Sequence, residues 1–285
     1  RSTLFPYTTL FRSTNREKDQ LNVCLLGPSS SGKTYLAQRV ADFFPECDIK
    51  EYAGISPKAL KHSEPILDPK TGKKYVNCER VILLFSEMPN PEMLTTIRPL
   101  LSHDRKELLF ATTDRNKNGG NTTKNTIIRG FPSVVFCSAN ARLDEQEATR
   151  ALLLSPEVSD KKLEESVKLT NERTANRQAY DVRIEADEQR KKLMRRVQYI
   201  KRLNINSVII PEDKSDEVIA RFRKTYPKLT PSANRAIEHL NSLIKAAAML
   251  NAKHRMDENK NVIVQDVDID TVGRSEERRV GKECR

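Results

Sequence analysis

Gln20-Leu21-Asn22-Val23-Cys24-Leu25-Leu26-Gly27-Pro28-Ser29-Ser30-Ser31-Gly32-Lys33-Thr34 is a short apolar run that breaks into small residues and ends on a lysine and a threonine. The last eight residues satisfy the pattern G-x-x-x-x-G-K-[ST]. Each position in it has a chemical reason: glycines let backbone N–H groups wrap phosphate oxygens, the lysine neutralises the β and γ oxygens, and the hydroxyl is placed for a magnesium ion. Gly27, Pro28, Ser29, Ser30, Ser31 and Gly32 form the predicted loop, with Lys33 and Thr34 closing it. Upstream, residues 20–26 carry the apolar continuity of a buried strand. Downstream, residues 33–44 space their apolar side chains as a helix does. Strand, loop and helix therefore follow in the order that phosphate binding at a helix N-terminus requires.

Working outward, residues 49–52 predict a second strand, and Val81-Ile82-Leu83-Leu84-Phe85 is a continuous apolar run of the kind buried on both faces. That run ends in Ser86-Glu87, where a nucleotide-hydrolysing site needs a magnesium ligand and a group to orient water. Glu87 suits the second task. Ser86 stands where an aspartate is usual, and a hydroxyl is the weaker ligand. Asn90-Pro91-Glu92 opens a helix, and residues 107–113 and 122–128 are β-prone runs around Asp114-Arg115-Asn116-Lys117-Asn118-Gly119-Gly120-Asn121, the composition of a long hairpin. Residues 134–137 predict another buried strand, which leads to Asn140. Beyond residue 144 strand signals nearly vanish, and charged helices are expected across 164–203, 216–224 and 232–256.

A phosphate loop, an acidic-ended strand, a polar-ended strand and a helical remainder, in that order, resemble an AAA+ ATPase. The resemblance implies an α/β fold, a parallel sheet flanked by helices with a C-terminal all-α lid, and ATP with Mg²⁺ as cofactors. It makes Asn140 the sensor 1 residue, Glu87 the catalytic base, and Thr34 with Ser86 the metal ligands. The hairpin inserted between Glu87 and Asn140 is similar to the presensor-1 hairpin of the branch that holds MCM replicative helicases and Mg-chelatases. Arg115, Lys117 and Lys124, at or near its tip, then become DNA-phosphate contacts. In the helical part, Leu229-Thr230-Pro231-Ser232-Ala233-Asn234-Arg235 and the helix after it resemble the MCM lid, which makes Arg235 the sensor 2 residue. Arg150 is the arginine finger that would act on a neighbouring subunit's γ-phosphate, with Arg142 as its rival.

The ends of the chain look foreign. As DNA, residues 2–13 and 274–285 are reverse complements: CTC TTC CGA TCT for residues 10–13 gives AGA TCG GAA GAG on the opposite strand, which encodes residues 274–277. They resemble a sequencing adapter translated on both strands around an insert. On that reading residues 1–13 and 274–285 are artefactual, residues 14–160 form the ATPase core, residues 161–273 form the lid, and the natural protein extends both ways.

The net charge of +11 falls only to +7 when both tails are set aside, a balance open to nucleic acid and equally to solubility. Cys24, Cys47, Cys78 and Cys137 form no C-x-x-C pair, so zinc is not expected, and no apolar run approaches the roughly 20 residues of a membrane span. A cytoplasmic or nucleoid-associated ATPase is the expectation, a DNA helicase or translocase fragment working as a ring, a hexamer by the resemblance. The alternatives are a protein remodeller or chaperone of the MoxR or chelatase type, or an ATP-binding scaffold with weak hydrolysis.

Overall fold

The computed structural model describes residues 20–56, 59, 63–102, 105–115, 121–139 and 148–273. Strands β1 (Asn22–Leu26), β2 (Ile49–Tyr52), β5 (Ile82–Phe85), β8 (Ser133–Ser138) and β9 (Ala151–Leu154) form one sheet in the order β2-β5-β8-β1-β9, and every neighbouring pair is parallel. The chain is α/β. The apolar runs read as β1, β5 and β8 are central strands, and their alternate residues split between two apolar clusters. Val23, Leu25, Ile82, Leu84, Val135 and Cys137 face one side, while Cys24, Leu83, Phe85, Val134 and Phe136 face the other. A strand buried on both faces has no polar positions to spare, so the runs are continuous rather than alternating.

On the first side lie α1 (Lys33–Ala41) and the C-terminal helices α5 (Glu188–Arg202), α6 (Glu212–Thr225), α7 (Ala233–Leu250) and α8 (266–273), through side chains such as Val197, Val218, Leu243 and Ile269. A short parallel pair, β10 (Ser207–Ile209) with β11 (Asn261–Ile263), ties α5 to the end of the chain. On the second side lies α2 (Pro91–Ser102), which buries Met93, Leu94, Ile97, Leu100 and Leu101. Its start follows the sequence: Asn90 Oδ1 accepts from the Met93 N–H at 2.8 Å, an N-cap ahead of a proline at the first helical position. Helices α3 (Asp160–Ala175) and α4 (Arg177–Ala186) give no residue to either cluster, and α3 buries no side chain at all.

A second sheet shares that second side. Strands β6 (Glu107–Arg115) and β7 (Asn121–Arg129) form the expected hairpin, antiparallel from Glu107↔Arg129 to Arg115↔Asn121. At its root β7 takes β4 (Lys74–Asn77) as a parallel neighbour over Tyr75↔Ile127 to Asn77↔Arg129, and β3 (Ile66–Leu67) pairs with β4. From Phe110↔Thr126 outward the hairpin has no third strand among the described residues, and this two-stranded arm is roughly 20 Å long. Arg129 clasps the root. Its guanidinium donates to Asp68 Oδ2 at 3.1 Å and Glu107 Oε1 at 2.7 Å, and lies 4.0 Å from the Tyr75 ring centroid. Gly130 completes the turn into β8 at φ +110°, where a Cβ would sit 2.5 Å from the Glu79 backbone nitrogen, so no larger residue fits.

Two differences from the sequence reading concern strands. Residues 151–154 are an edge strand, and β10 and β11 a short pair, although strand signals were expected nearly to vanish after residue 144; β3 and β4 lie in a stretch where no strand was expected. Ala-Leu-Leu-Leu is as good a helix former as a strand former, and pairing with β1 decides it. Burial pushes the Cys24 thiol up to about 12 and that of Cys78 up to about 11, as small buried hydrophobes should behave. Among the described residues no helix is long and apolar enough to cross a membrane.

Candidate functional site

Residues 27–32 leave β1 and enter α1 through two left-handed residues, Ser30 at φ 62° and Gly32 at φ 80°. Gly32 occupies the N-cap of α1 with no side-chain cap, so the first-turn N–H groups, which have no acceptor within a helix, are left for a ligand. Lys33 is only 9% exposed, and its ammonium donates to the carbonyls of Gly27 at 2.9 Å and Pro28 at 2.6 Å, with Ser31 Oγ at 3.5 Å. None of these partners is a carboxylate. A buried cation held only by neutral loop oxygens, beside uncapped amides, is a donor set that fits the polyphosphate of a nucleotide.

The parallel register brings the neighbouring strand ends to the same place. Leu84 pairs with Val135 and Val135 with Val23, so Ser86 and Glu87, just past β5, sit at the sheet edge where β1 opens into the loop. Gly27 N–H donates to the Ser138 carbonyl at 3.3 Å, and the Thr34 hydroxyl faces the Ser86 carbonyl at 3.5 Å. Glu87 is exposed at this edge. Asn140 and its neighbour Arg142 lie outside the described residues, two and four positions past the end of β8.

Glu51, on β2, is a carboxylate that sequence reasoning passed over. Its Oε1 accepts from Ser86 Oγ at 3.3 Å and from Gln38 Nε2, one turn beyond Thr34 on α1, at 2.7 Å. It is an acidic group in direct contact with Ser86. For a Mg²⁺ ion the chain thus offers the Thr34 hydroxyl and Ser86, with Glu51 and Glu87 as nearby negative charge, a set of oxygen ligands suited to a hard cation that keeps some of its water. A lone exposed Glu in an edge strand carries no motif, so only the pairing of β2 with β5 reveals it.

The two arginines singled out in the sequence lie elsewhere. Arg150 immediately precedes β9, whose first residue pairs with Asn22 at the start of β1. It therefore sits at the opposite end of the sheet from the loop, roughly 16 Å away at strand rise. There its Nε donates to Ser102 Oγ at 3.0 Å, and the buried Asn22 donates to its carbonyl at 3.1 Å. Arg235, at the start of α7, donates to the hydroxyl of Thr149, the residue next to Arg150. Both Thr149 and Arg235 line a cavity of about 420 Å³ among β9, α6 and α7, with Arg221, His239 and Asp270. The structure brings these two candidates close to each other and not to the phosphate loop of their own chain.

In the hairpin, Arg115 occupies the terminal pair with Asn121, and Lys124 stands opposite Thr112. Lys117 lies outside the described residues, as do residues 1–13 and 274–285. No protein-family model matches the chain, and no curated protein matches it.

Proposed function

We propose that the chain is the motor core of an AAA+ ATPase of the presensor-1 hairpin branch, an MCM-like helicase or translocase that couples ATP hydrolysis to movement on DNA. The observation that carries this reading is the buried Lys33, held among the described residues by neutral loop oxygens at the sheet edge where Ser86 and Glu87 emerge. Support for the branch comes from the β6–β7 hairpin inserted between β5 and β8.

On this reading the amides of the first turn of α1 and the Lys33 ammonium hold the β and γ phosphates. Thr34 and Ser86 would hold Mg²⁺, which when bound draws charge from the phosphate oxygens. Glu87 orients the attacking water and accepts its proton. Arg150 and Arg235, distant from their own loop, serve the γ-phosphate of an adjacent subunit, so the site is complete only in a ring. The cationic hairpin meets the phosphate backbone of DNA.

The test is the ATPase rate with and without single-stranded and duplex DNA, with Lys33→Ala as blank. Stimulation by DNA is expected, and it should vanish in the triple variant Arg115→Ala, Lys117→Ala, Lys124→Ala, with the salt slope of DNA binding reduced by roughly 2 to 3. Hydrolysis without stimulation at low salt would turn the assignment toward a protein remodeller. Nucleotide binding without hydrolysis would make the chain a scaffold.

A further inference from the structure

Helix α3 stands over the phosphate loop without being part of any core. Ser166, Leu169, Thr170 and Arg173 recur at helical spacing, three or four residues apart, and all four line a cavity of about 310 Å³ whose opposite wall is Gly32, Lys33 and Thr34. Since α3 buries no side chain, this face is not packing against hydrophobic structure. Between the walls, the Tyr35 and Tyr180 hydroxyls share a hydrogen bond of 2.9 Å, which fastens α4 to α1 and holds the α3–α4 corner above the loop.

None of the ten described residues around this cavity is acidic, whereas two are cations, Lys33 and Arg173. Nearby charges are already matched: Arg39 pairs with Asp42 at 3.1 Å, and Glu172 with Arg183 at 2.7 Å. Arg173 is half-buried, with no ion pair to a described residue, and its guanidinium lies 5.9 Å from the Tyr35 ring centroid. Two like charges facing one space repel each other until an anion enters. A guanidinium supplies the planar set of donors that suits phosphate oxygens.

We propose that Arg173 binds the polyphosphate of the nucleoside triphosphate from the side opposite Lys33, so that ligand entry locks α3 down over the loop. This rests on the assignment of the loop as a nucleotide site and adds a residue that neither the motif nor the lid resemblance supplies. Arg235, the lid residue named from sequence, faces a different cavity.

The experiment is a titration of the full chain with a fluorescent ATP analogue in the presence of Mg²⁺, comparing wild type, Lys33→Ala, Arg173→Ala and Arg173→Lys. Limited trypsin digestion with and without ATP follows cleavage at Lys161, Lys162 and Lys168 on α3. Arg173→Ala should weaken binding about tenfold or more, the loss of a charge-assisted pair, and Arg173→Lys should recover part of it. ATP should protect α3 in the wild type but not in Arg173→Ala, while the melting temperature without nucleotide stays the same, since Arg173 makes no ion pair to a described residue. Wild-type binding with an unchanged Arg173→Ala affinity overturns this proposal alone. No binding by wild type overturns it together with the nucleotide site itself.

Discussion

The two ends of the parallel sheet have been given opposite electrostatic tasks. At the end where strands finish, Lys33 is buried against loop carbonyls, with Ser86, Glu51 and Glu87 nearby, a set of groups suited to a ligand held within one chain. At the end where strands begin, Arg150 and Arg235 are gathered around Thr149 and Ser102, with no phosphate loop within reach. Parallel pairing imposes the separation, because every strand leaves the same edge and every loop after it lands together. Groups at the other edge act on something outside the chain or only hold it together.

The largest effects should separate those two outcomes. Lys33→Ala is expected to lower ATP affinity at least ~100-fold by removing the buried cation, whereas Arg150→Ala should leave affinity within about twofold and reduce turnover ~1,000-fold if the arginine completes a neighbouring site. Mixing the two variants should then restore activity, because a Lys33-bearing loop can face an intact Arg150. Mixtures as inactive as their components would assign Arg150 a structural role.

Next in size is Asn22, which ties together the end where strands begin. Its amide donates to the carbonyls of Leu101 and Arg150 at 2.9 and 3.1 Å, and its Oδ1 accepts from Val134 N–H at 3.2 Å. Asn22→Ala strands two buried backbone groups and a half-buried one and should cost roughly 3 kcal/mol in a denaturant melt. A loss under about 0.5 kcal/mol would mean that this end is held by other contacts.

A smaller gain tests the receiving end. Ser86→Asp restores a charged ligand and should lower the Mg²⁺ concentration for half-maximal ATP binding by several-fold. No shift would mean that Glu51 already supplies what Ser86 lacks.

Smallest is an acid effect confined to the hairpin root, away from both ends. Asp68 accepts from Lys70 N–H at 2.9 Å, and that backbone bond, with Thr71 and Arg129, holds its carboxyl down to about 2. A carboxylate with a folded value below the unfolded one, ~3.9, stabilises the fold above pH ~4 and loses that contribution as pH falls toward 2. Amide exchange in β7 near Arg129 should rise across that window in wild type and be already raised in Asp68→Asn at neutral pH.

Much of this was legible in one dimension. Continuous apolar runs announced β1, β5 and β8, Asn90-Pro91 announced the start of α2, and Asn118-Gly119-Gly120 between two β-prone runs announced the hairpin. Each signal is local, since a strand buried on both faces or a capped helix is specified by its own residues. Other features depend on partners far along the chain. Ala151–Leu154 became a strand because β1 had a free edge, and Ile66–Leu67 with Lys74–Asn77 became strands because β7 offered another.

The amino-acid sequence by itself determined the phosphate-loop pattern, the α/β alternation and the hairpin, because glycine conformation, hydroxyl and ammonium chemistry and apolar periodicity travel with the residues that carry them. Tertiary structure alone decided which distant side chains meet that loop: Glu51 through the pairing of β2 with β5, Arg173 through the placement of α3 above α1, and Arg150 turned to the opposite edge by the register of β9. Charge acts through space, and the distances that govern it exist only once the sheet order is set.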